Sequence, residues 1–418
     1  MIPYKKVFLI CAVSICFLRG IGQKITASYT RSASEANFSG RVFLYLSKDS
    51  KSPKDEMIGV QKFPCFSITV KNVHPNQKVV FDDAATYYPV ILSDIERGKY
   101  HAQVVWDRNE GGRSIGESPG NMYNQSLVVN LTKNTRQSFD IVCNEVNKEQ
   151  PFVETRYIKE LKAPSALLTA FYKRTTTLNA AILLPKEYFE QPDRKFPVLR
   201  TNVARLLTGH SSGGWSVLWL QTHYPKIFTA CWSSSPDPVD FRSFQQINLY
   251  NDKNMYYAND STLQLAATIA GRYPWIFMKD MCAMEHVIWR GEQMHSFNFV
   301  FSTRNRDGTP RSLWNDITGD IDRTTLEHWK SYDISIYVKS NWKQLKAYLQ
   351  GKIRVSVGNQ DNFLLNYPVH LFDDEMKKID AGFVFAYYPG DHFTVFTPEY
   401  KTAGYQFLEM KYHELTNK

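Results

Sequence analysis

The stretch Arg205–Leu220 reads RLLTGHSSGGWSVLWL, and it decides the fold of the C-terminal part of this chain. A strand is predicted to end at Gly209 and a helix to begin near Gly214, with Ser211 at the centre of a Gly-x-Ser-x-Gly frame. A tight strand-to-helix turn crowds the backbone, so glycine is expected two residues before and two residues after the serine, at Gly209 and Gly213. Such a turn presents the serine hydroxyl at the end of a sheet, beside a helix N-terminus that favours negative charge. The sequence therefore predicts a nucleophilic serine on an α/β fold.

A serine hydroxyl needs a base within hydrogen-bond reach and a carboxylate that orients the base. On this type of fold the expected order along the chain is serine, acid, histidine. His392 lies in YYPGDHFTVF, just after the predicted strand 383–388, and Asp361 lies in VSVGNQDNFLL, three residues beyond Gly358. Both positions follow the carboxyl end of a strand, so Asp361 and His392 are the predicted partners of Ser211. Asp391 is the competing acid, but a residue directly before His392 needs an unusual backbone to orient that ring.

The other titratable candidates are given lesser roles. His210, inside the turn, is interpreted as a positioning residue rather than the base. His286 and His295 are expected at the surface or at the rim of the site, and Asp373 and Asp374 on a solvated helix face.

The pattern of apolar residues changes along the chain. From about residue 40 to 146, short β-branched and aromatic runs alternate with Asn, Asp, Gly and Pro clusters, which favours an all-β sandwich of the immunoglobulin-like kind over 23–150. The polar segment 147–154 is the predicted linker. Beyond it, apolar strands alternate with helical stretches, which indicates an α/β layer with a mostly parallel sheet over 151–418.

The N-terminus has the pattern of a signal peptide, predicted over residues 1–22 with cleavage before Gln23. Its basic residues, apolar run and small residues are Lys5, Lys6, Val7–Leu18, Gly20 and Gly22. An uncleaved anchor is the alternative, but about 12 apolar residues are too few to span a bilayer. The expected location is secreted or periplasmic, with no membrane span after cleavage. A cell-surface lipoprotein modified at Cys16 is less favoured, because Ile15 is not the usual small residue.

Composition excludes several classes of protein. The chain has 418 residues, of which 43% are hydrophobic, 14% aromatic and 22% charged, so it is neither disordered nor fibrous. The formal charge of +9 falls to about +6 without the predicted signal, which is too mild to indicate a nucleic-acid partner. Four cysteines remain beyond the signal, and a bridge from Cys65 to Cys143 is one open option. No clustered Cys/His spacing predicts a metal site.

Five motifs carry a resemblance to a known family: GHSSGGW, WSSSPDPVDFR, VFSTRNRDGTPRSLWNDITGDID, GNQDNFLL and PGDHF. From about Glu154 to the end, the chain resembles secreted esterases related to esterase D and to feruloyl and acetylxylan esterases. The resemblance implies an α/β-hydrolase domain that acts on esters without a cofactor, with Ser211, Asp361 and His392 at the matching triad positions. Proteins of this group often carry an N-terminal β-sandwich, which the first 150 residues resemble too.

One departure from the pattern follows Leu199. The predicted strand FPVL (Phe196–Leu199) is separated from Ala204 by four residues, whereas parallel neighbours in a sheet need a crossover of about a dozen residues or more. If each βα unit takes roughly 30 residues, about 60 residues are missing between 199 and 200. Three explanations are an incomplete gene model, a real deletion that inactivates the protein, and a rearranged sheet in which RTNVARLLTG extends FPVL. The first two are favoured, because a bare apolar sheet is poorly tolerated in an exported monomer.

The segment missing after Leu199 affects the predicted oxyanion site. One oxyanion donor is expected to be the backbone N–H of Ser212, whereas the second normally comes from the loop after the FPVL strand. The leading hypothesis is an exported serine esterase of small-molecule or carbohydrate esters, poorly soluble or weakly active as this chain. The rival is a catalytically silent carbohydrate-binding or surface protein, and a peptidase is a weaker third. The sequence does not give the acyl group, the alcohol or the oligomeric state.

Overall fold

The computed structural model of the chain describes residues 23–56, 61–108, 114–132, 138–184, 186–191, 204–259, 261–288 and 292–416. The predicted signal peptide and the predicted FPVL strand with its junction at 199 and 200 therefore lie outside the described residues. The structure divides the chain into two compact units. The described residues of the first unit fall within 23–54, 63–108 and 121–146, and the second unit contains the others.

The first unit consists of two β-sheets around one apolar core. Its strands are β1 (Lys24–Tyr29), β2 (Phe38–Ser47), β3 (Cys65–Val73), β4 (Val79–Phe81), β5 (Thr86–Tyr88), β6 (Gly98–Asp107), β7 (Met122–Tyr123), β8 (Leu127–Leu131), β9 (Ser138–Cys143) and β10 (Glu145–Val146). The smaller sheet has the order β4-β1-β9, and the larger has the order β10-β7-β6-β2-β3-β5, with β8 also paired to β6. Side chains from both sheets meet in the core, where Trp106 packs edge-to-face on Tyr29 and Phe38. This arrangement is that of a β-sandwich.

The second unit alternates strands and helices. Its strands are β11 (Ile158–Pro164), β12 (Thr177–Leu183), β13 (Leu206–His210), β14 (Ala230–Ser234), β15 (Leu265–Ile269), β16 (Tyr273–Phe277), β17 (Ile353–Gly358) and β18 (Val384–Tyr388). Its helices are α1 (Ala166–Tyr172), α2 (Glu187–Glu190), α3 (Ser212–His223), α4 (Met278–Ile288), α5 (Met294–Phe301), α6 (Arg323–Trp329), α7 (Ile334–Leu349), α8 (Asn366–Lys378) and α9 (Pro398–Thr416). In the described part of the chain, no helix is both long enough and apolar enough to cross a membrane.

Four parallel strands form the central sheet, in the order β13-β14-β17-β18. Every residue of β14 and β17 is buried, as expected for parallel strands that are covered on both faces. Helices α3, α7 and α8 pack on one face, where their apolar side chains join Val355 and Val357 in the larger core. Helix α9 covers the other face, on which Tyr400 and Phe407 contact the side of the sheet formed by Trp232.

Two parts of the second unit lie outside this sheet. Between β14 and β17 the chain forms an insertion with the antiparallel hairpin β15–β16 and helices α4 to α7, and its side chains extend the larger core. Ahead of the sheet, β11 and β12 pair with each other in an antiparallel hairpin. All seven residues of β12 are exposed, and among the described residues neither hairpin strand pairs with the central sheet. Strand β13 is therefore an edge strand within the described sheet, and most of its residues are half-buried.

Candidate active site

Ser211 stands between the end of β13 and the start of α3, with a backbone φ of 57° and ψ of −124°. A non-glycine residue in this region is strained by about 1–3 kcal/mol, and such strain is common at functional sites. The turn is fixed by the neighbouring strand, because the Ser211 N–H donates a hydrogen bond of 2.9 Å to the carbonyl of Ser234 at the end of β14. This bond helps to keep the serine in its strained conformation at the carboxyl edge of the sheet.

Glycine is required at two positions around this turn. A Cβ atom at Gly209 would overlap the carbonyl of Gly213, so the position before the turn admits no side chain. A Cβ atom at Gly214 would lie 2.7 Å from the carbonyl oxygen of Ser234. At Gly213 a Cβ atom would meet nothing within 4 Å, so the expectation that glycine is needed two residues after the serine is wrong. Helix α3 begins at Ser212 rather than near Gly214. The close approach is at Gly214, where the helix passes the carbonyl of Ser234 at the end of β14.

Asp361 and His392 lie together at the ends of β17 and β18. Asp361 Oδ2 is 2.8 Å from His392 Nδ1, and both side chains are buried. The second carboxylate oxygen, Oδ1, accepts the backbone N–H groups of Phe363 and Leu365, and the His392 N–H donates to the side chain of Asn362. Because Nδ1 faces the carboxylate, Nε2 is the nitrogen left to exchange a proton with a reacting group.

Ser211 does not bond to His392 in this structure. Its Oγ donates instead to Asp237 Oδ1 at 3.4 Å, and among the described residues no hydrogen bond joins the serine to the imidazole. The two are nonetheless neighbours, because the ring of His210, the residue before Ser211, lies 4.4 Å from the His392 ring between centroids. The structure thus brings the three predicted residues to one edge of the sheet, with the serine turned to a different partner.

His210 packs beside the His392 imidazole and is itself uncharged at neutral pH. Its Nδ1 is 2.9 Å from the Ser234 hydroxyl, and its ring also packs edge-to-face on Phe396. Burial, and next the nearby charge of His392, lower the pKa of His210 to about 4. A neutral His210 at pH 7 is consistent with the positioning role predicted for it, because a second imidazolium beside His392 would oppose proton uptake there.

Asp237 is a residue of this site that the sequence reasoning missed. It follows β14 between two prolines, is only 6% exposed, and accepts the hydroxyl of Ser212 at 2.6 Å as well as that of Ser211. Burial raises the pKa of the Asp237 carboxyl, whereas the Ser212 hydrogen bond and the charge of His392 act in the opposite direction. The signal was present in Pro-Asp-Pro at the end of an apolar strand, since carboxyl ends of parallel strands meet at one edge of a sheet.

The predicted oxyanion donor lies at the first residue of α3. The backbone N–H of Ser212 has no hydrogen-bond acceptor among the residues that the structure describes, so it is available to an incoming oxygen. The loop expected to supply the second donor follows the predicted strand Phe196–Leu199 and lies outside those residues.

The expectations that Asp373 lies on a solvated helix face and that His295 lies at the surface or rim are wrong. Asp373 is buried, where it accepts hydrogen bonds from Tyr387 at 2.9 Å and Lys377 at 3.0 Å, because α8 packs against β18. His295 is buried too, and only its neighbour His286 has a partly open side chain. The bridge from Cys65 to Cys143, which the sequence leaves open, is not formed, because the four described cysteines are free.

His295 joins a charged cluster in the insertion rather than the site. Its Nδ1 lies 3.0 Å from Glu285 Oε2 and its Nε2 lies 2.8 Å from Asp316 Oδ1, whose other oxygen contacts His286. Burial alone would lower the pKa of His295, but hydrogen bonds to Asp316 and Glu285 raise it to about 9. In the described part of the chain, no group of three or more His, Cys, Asp or Glu side chains is arranged to hold a metal ion.

Comparison with known proteins gives one family match. A family model described as "Putative esterase" matches residues 192–397, just under half of the chain. This match contains Ser211, Asp361 and His392, and it supports ester hydrolysis in general terms. No curated protein sequence matches the chain.

The solved structures resemble this chain only weakly, with low sequence identity and low TM-scores. A ferulic acid esterase is 16% identical with a TM-score of 0.26, over 55% of this chain and 58% of that one. The acylaminoacyl peptidase of Pyrococcus horikoshii is 13% identical with a TM-score of 0.25, over 51% and 25%. The monoacylglycerol lipase of Paleococcus ferrophilus is 11% identical with a TM-score of 0.24, over 61% and 98%. The chain thus spans little more than half of the first of these proteins and a quarter of the second.

Proposed function

We propose that this protein is an exported serine esterase in which Ser211, His392 and Asp361 carry the reaction. The observation that supports the proposal most directly is the buried 2.8 Å contact between Asp361 and His392, beside the strained turn that holds Ser211. The esterase family match over residues 192–397 supports the same reaction class. Export rests on the N-terminal sequence pattern alone.

Each residue has a defined part in the proposed reaction. The Ser211 hydroxyl turns from Asp237 toward His392, gives its proton to Nε2, and Oγ attacks the ester carbonyl carbon. The Ser212 N–H stabilises the resulting oxyanion, and His392 then protonates the leaving alcohol as the carbon–oxygen bond breaks. Water repeats these steps on the acyl-enzyme, which releases the carboxylic acid and returns the proton to Ser211. Asp361 holds the imidazole in the required orientation throughout.

We also propose that a segment of the sheet is missing from this chain after Leu199. Two features of the described residues support this: β12 is exposed along its whole length, and β13 pairs only with β14. A β13 strand that carries a nucleophile would normally have neighbours on both edges. If the second oxyanion donor belongs to the missing segment, its loss reduces turnover by about 100- to 1,000-fold.

The substrate class proposed is a carboxylic ester of a small alcohol or of a carbohydrate. The described site contains one imidazole base and one N–H donor beside the serine, which suits an ester with a good leaving group better than an amide. The identity of the acyl group does not follow from these residues.

Labelling by a fluorophosphonate tests the proposal even if turnover is slow, because the reagent reacts with an activated serine in a single covalent step. We expect the full chain to be labelled and the Ser211→Ala variant to lose the label completely. Ser216→Ala is the matched control, because Ser216 lies on the same helix, is exposed, and bonds only within α3.

Equal labelling of Ser211→Ala and the unchanged chain would overturn the proposed nucleophile. Failure of a folded chain to react at all, with binding of a polysaccharide by residues 23–150, would favour the catalytically silent alternative. Folding is checked in each case by circular dichroism and a cooperative thermal transition.

A further inference from the structure

We propose that Asp237 is a further residue of the reaction centre, which favours the free hydroxyl of Ser211 over its acylated form. The inference rests on the proposed function, because it concerns the acyl-enzyme of that reaction. It assigns a role to a carboxylate that the triad does not use.

The geometry places this carboxylate directly against the nucleophile. Asp237 Oδ2 accepts the Ser212 hydroxyl at 2.6 Å, which fixes the carboxylate, and Oδ1 then lies 3.4 Å from Ser211 Oγ. The Asp237 N–H also donates to the Ser211 carbonyl at 3.3 Å, so the two residues are joined by a backbone hydrogen bond as well as by a side-chain one. Asp237 is 6% exposed, so water replaces a lost partner only poorly.

Acylation removes the hydrogen that this contact uses. When Oγ bonds to the acyl carbon, its proton passes to His392 Nε2 and leaves with the alcohol, so the ester oxygen is only an acceptor. Asp237 Oδ1, also an acceptor when ionised, then faces an oxygen that has nothing to donate. Hydrolysis breaks the bond from Oγ to the acyl carbon, returns a proton to Oγ, and restores the hydrogen bond. The carboxylate therefore raises the free energy of the acyl-enzyme relative to the free enzyme.

The ratio of the acylation to the deacylation rate constant isolates this effect. Both steps pass through a tetrahedral transition state with a protonated His392, so the influence of the Asp237 charge on those states largely cancels in the ratio. What remains is the difference between the two ground states. An asparagine at this position would keep its oxygen toward Ser212 and donate its amide hydrogen to the ester oxygen.

The Asp237→Asn variant tests the inference. We expect the rate-constant ratio to rise about 10- to 100-fold, which is the range of a hydrogen bond to a charged group. Stopped-flow kinetics with p-nitrophenyl acetate give both rate constants, and the intact mass after acid quenching gives the acylated fraction. Asp373→Asn, which changes another buried aspartate away from the serine, is the matched control and should leave the ratio unchanged.

A second variant provides an opposite expectation. Ser212→Ala keeps the backbone N–H but removes the 2.6 Å hydrogen bond to Asp237. The Ser211 hydroxyl is then the remaining side-chain donor to this carboxylate among the described residues of the site, so losing it on acylation costs more and the rate-constant ratio should fall. This variant decides the matter if Asp237→Asn does not fold. An unchanged or lowered ratio in folded Asp237→Asn, or a raised ratio in Ser212→Ala, would overturn the inference. Such results with normal fluorophosphonate labelling of Ser211 would leave the proposed function intact, whereas absence of labelling would contradict the proposed function itself.

Discussion

Strands β12 and β17 are both apolar, and their surroundings are opposite. In β17, all residues are buried between β14 and β18 and beneath helices on both faces. In β12, which reads TLNAAIL, all residues are exposed, and 74% of Leu183 is open to solvent. Apolar residues thus favour a strand in both places, whereas the burial of that strand depends on the neighbouring strands and helices that cover it.

Strand β13 lies at the boundary between these two regions. It has β14 on one edge, and its residues are half-buried or exposed. The candidate nucleophile therefore follows an edge strand of the described sheet, whereas β17 has a paired strand on each side. Experiments that compare the local stability of β12 and β17 therefore also indicate how stable the strand next to the candidate site is.

Hydrogen exchange gives the largest contrast. We expect the amides of β17 to exchange at least about 1,000 times more slowly than those of β12. The β11–β12 hairpin pairs with no other strand among the described residues and should open locally, whereas β17 opens only with the whole unit. Mass spectrometry of peptides from the two strands, with β14 as a second buried reference, measures this ratio. Similar protection of β12 and β17 would mean that the hairpin is covered in solution.

Truncation of one side chain in each region gives the next largest difference. Ile353→Ala, at a fully buried position of β17, should lower the free energy of unfolding by about 2–5 kcal/mol. Leu183→Ala in β12 should change it by less than about 0.5 kcal/mol, since that side chain is mostly exposed. Urea denaturation followed by tryptophan fluorescence gives both values. A cost of 2 kcal/mol or more for Leu183→Ala would contradict the exposed position of the hairpin.

The charged cluster in the insertion predicts a response to pH in the packed region only. The raised pKa of His295 means that its contribution is complete below about pH 6.5 and is lost as the pH rises through about 9. The free energy of unfolding should fall by about 3 kcal/mol over this interval. Urea denaturation at pH 6.5 and 9 measures the change, and His295→Gln should remove most of it. An equal pH response in His295→Gln would show that other groups cause it.

The hairpin supplies an internal control for this pH experiment. Residues 158–183 contain no histidine, so hydrogen exchange of β11 and β12, corrected for the intrinsic effect of pH, should not change over the same interval.

Much of the site could be predicted because its signals are local. The Gly-x-Ser-x-Gly turn, and an acid and a histidine that each follow an apolar strand, are readable without knowledge of distant contacts. Asp361 and His392 are 31 residues apart, yet their strands are neighbours in the sheet, so strand order alone brings the two side chains together.

What could not be predicted depends on contacts between distant segments. The partner of Ser211 in this structure is Asp237, 26 residues away, and nothing in the turn itself indicates which side chain the hydroxyl meets. Asp373 and His295 each have a partner on another element, Tyr387 and Glu285, that their own sequence surroundings do not indicate. The need for glycine at 214 rather than 213 follows from the close approach of β14, which the spacing within the turn does not reveal.

The cover of the sheet by α9 has a consequence for how the protein is made. Helix α9 approaches the sheet so closely that Gly404 leaves no space for a Cβ atom beside the indole of Trp232. A ribosome releases the chain from its N-terminus, so Trp232 leaves the ribosome well before the helix that shields it. During synthesis this face of the sheet is open to chaperones or to other nascent chains. His392 is also made after Ser211 and Asp361, so the candidate site is completed only shortly before α9, its neighbour in sequence, is made.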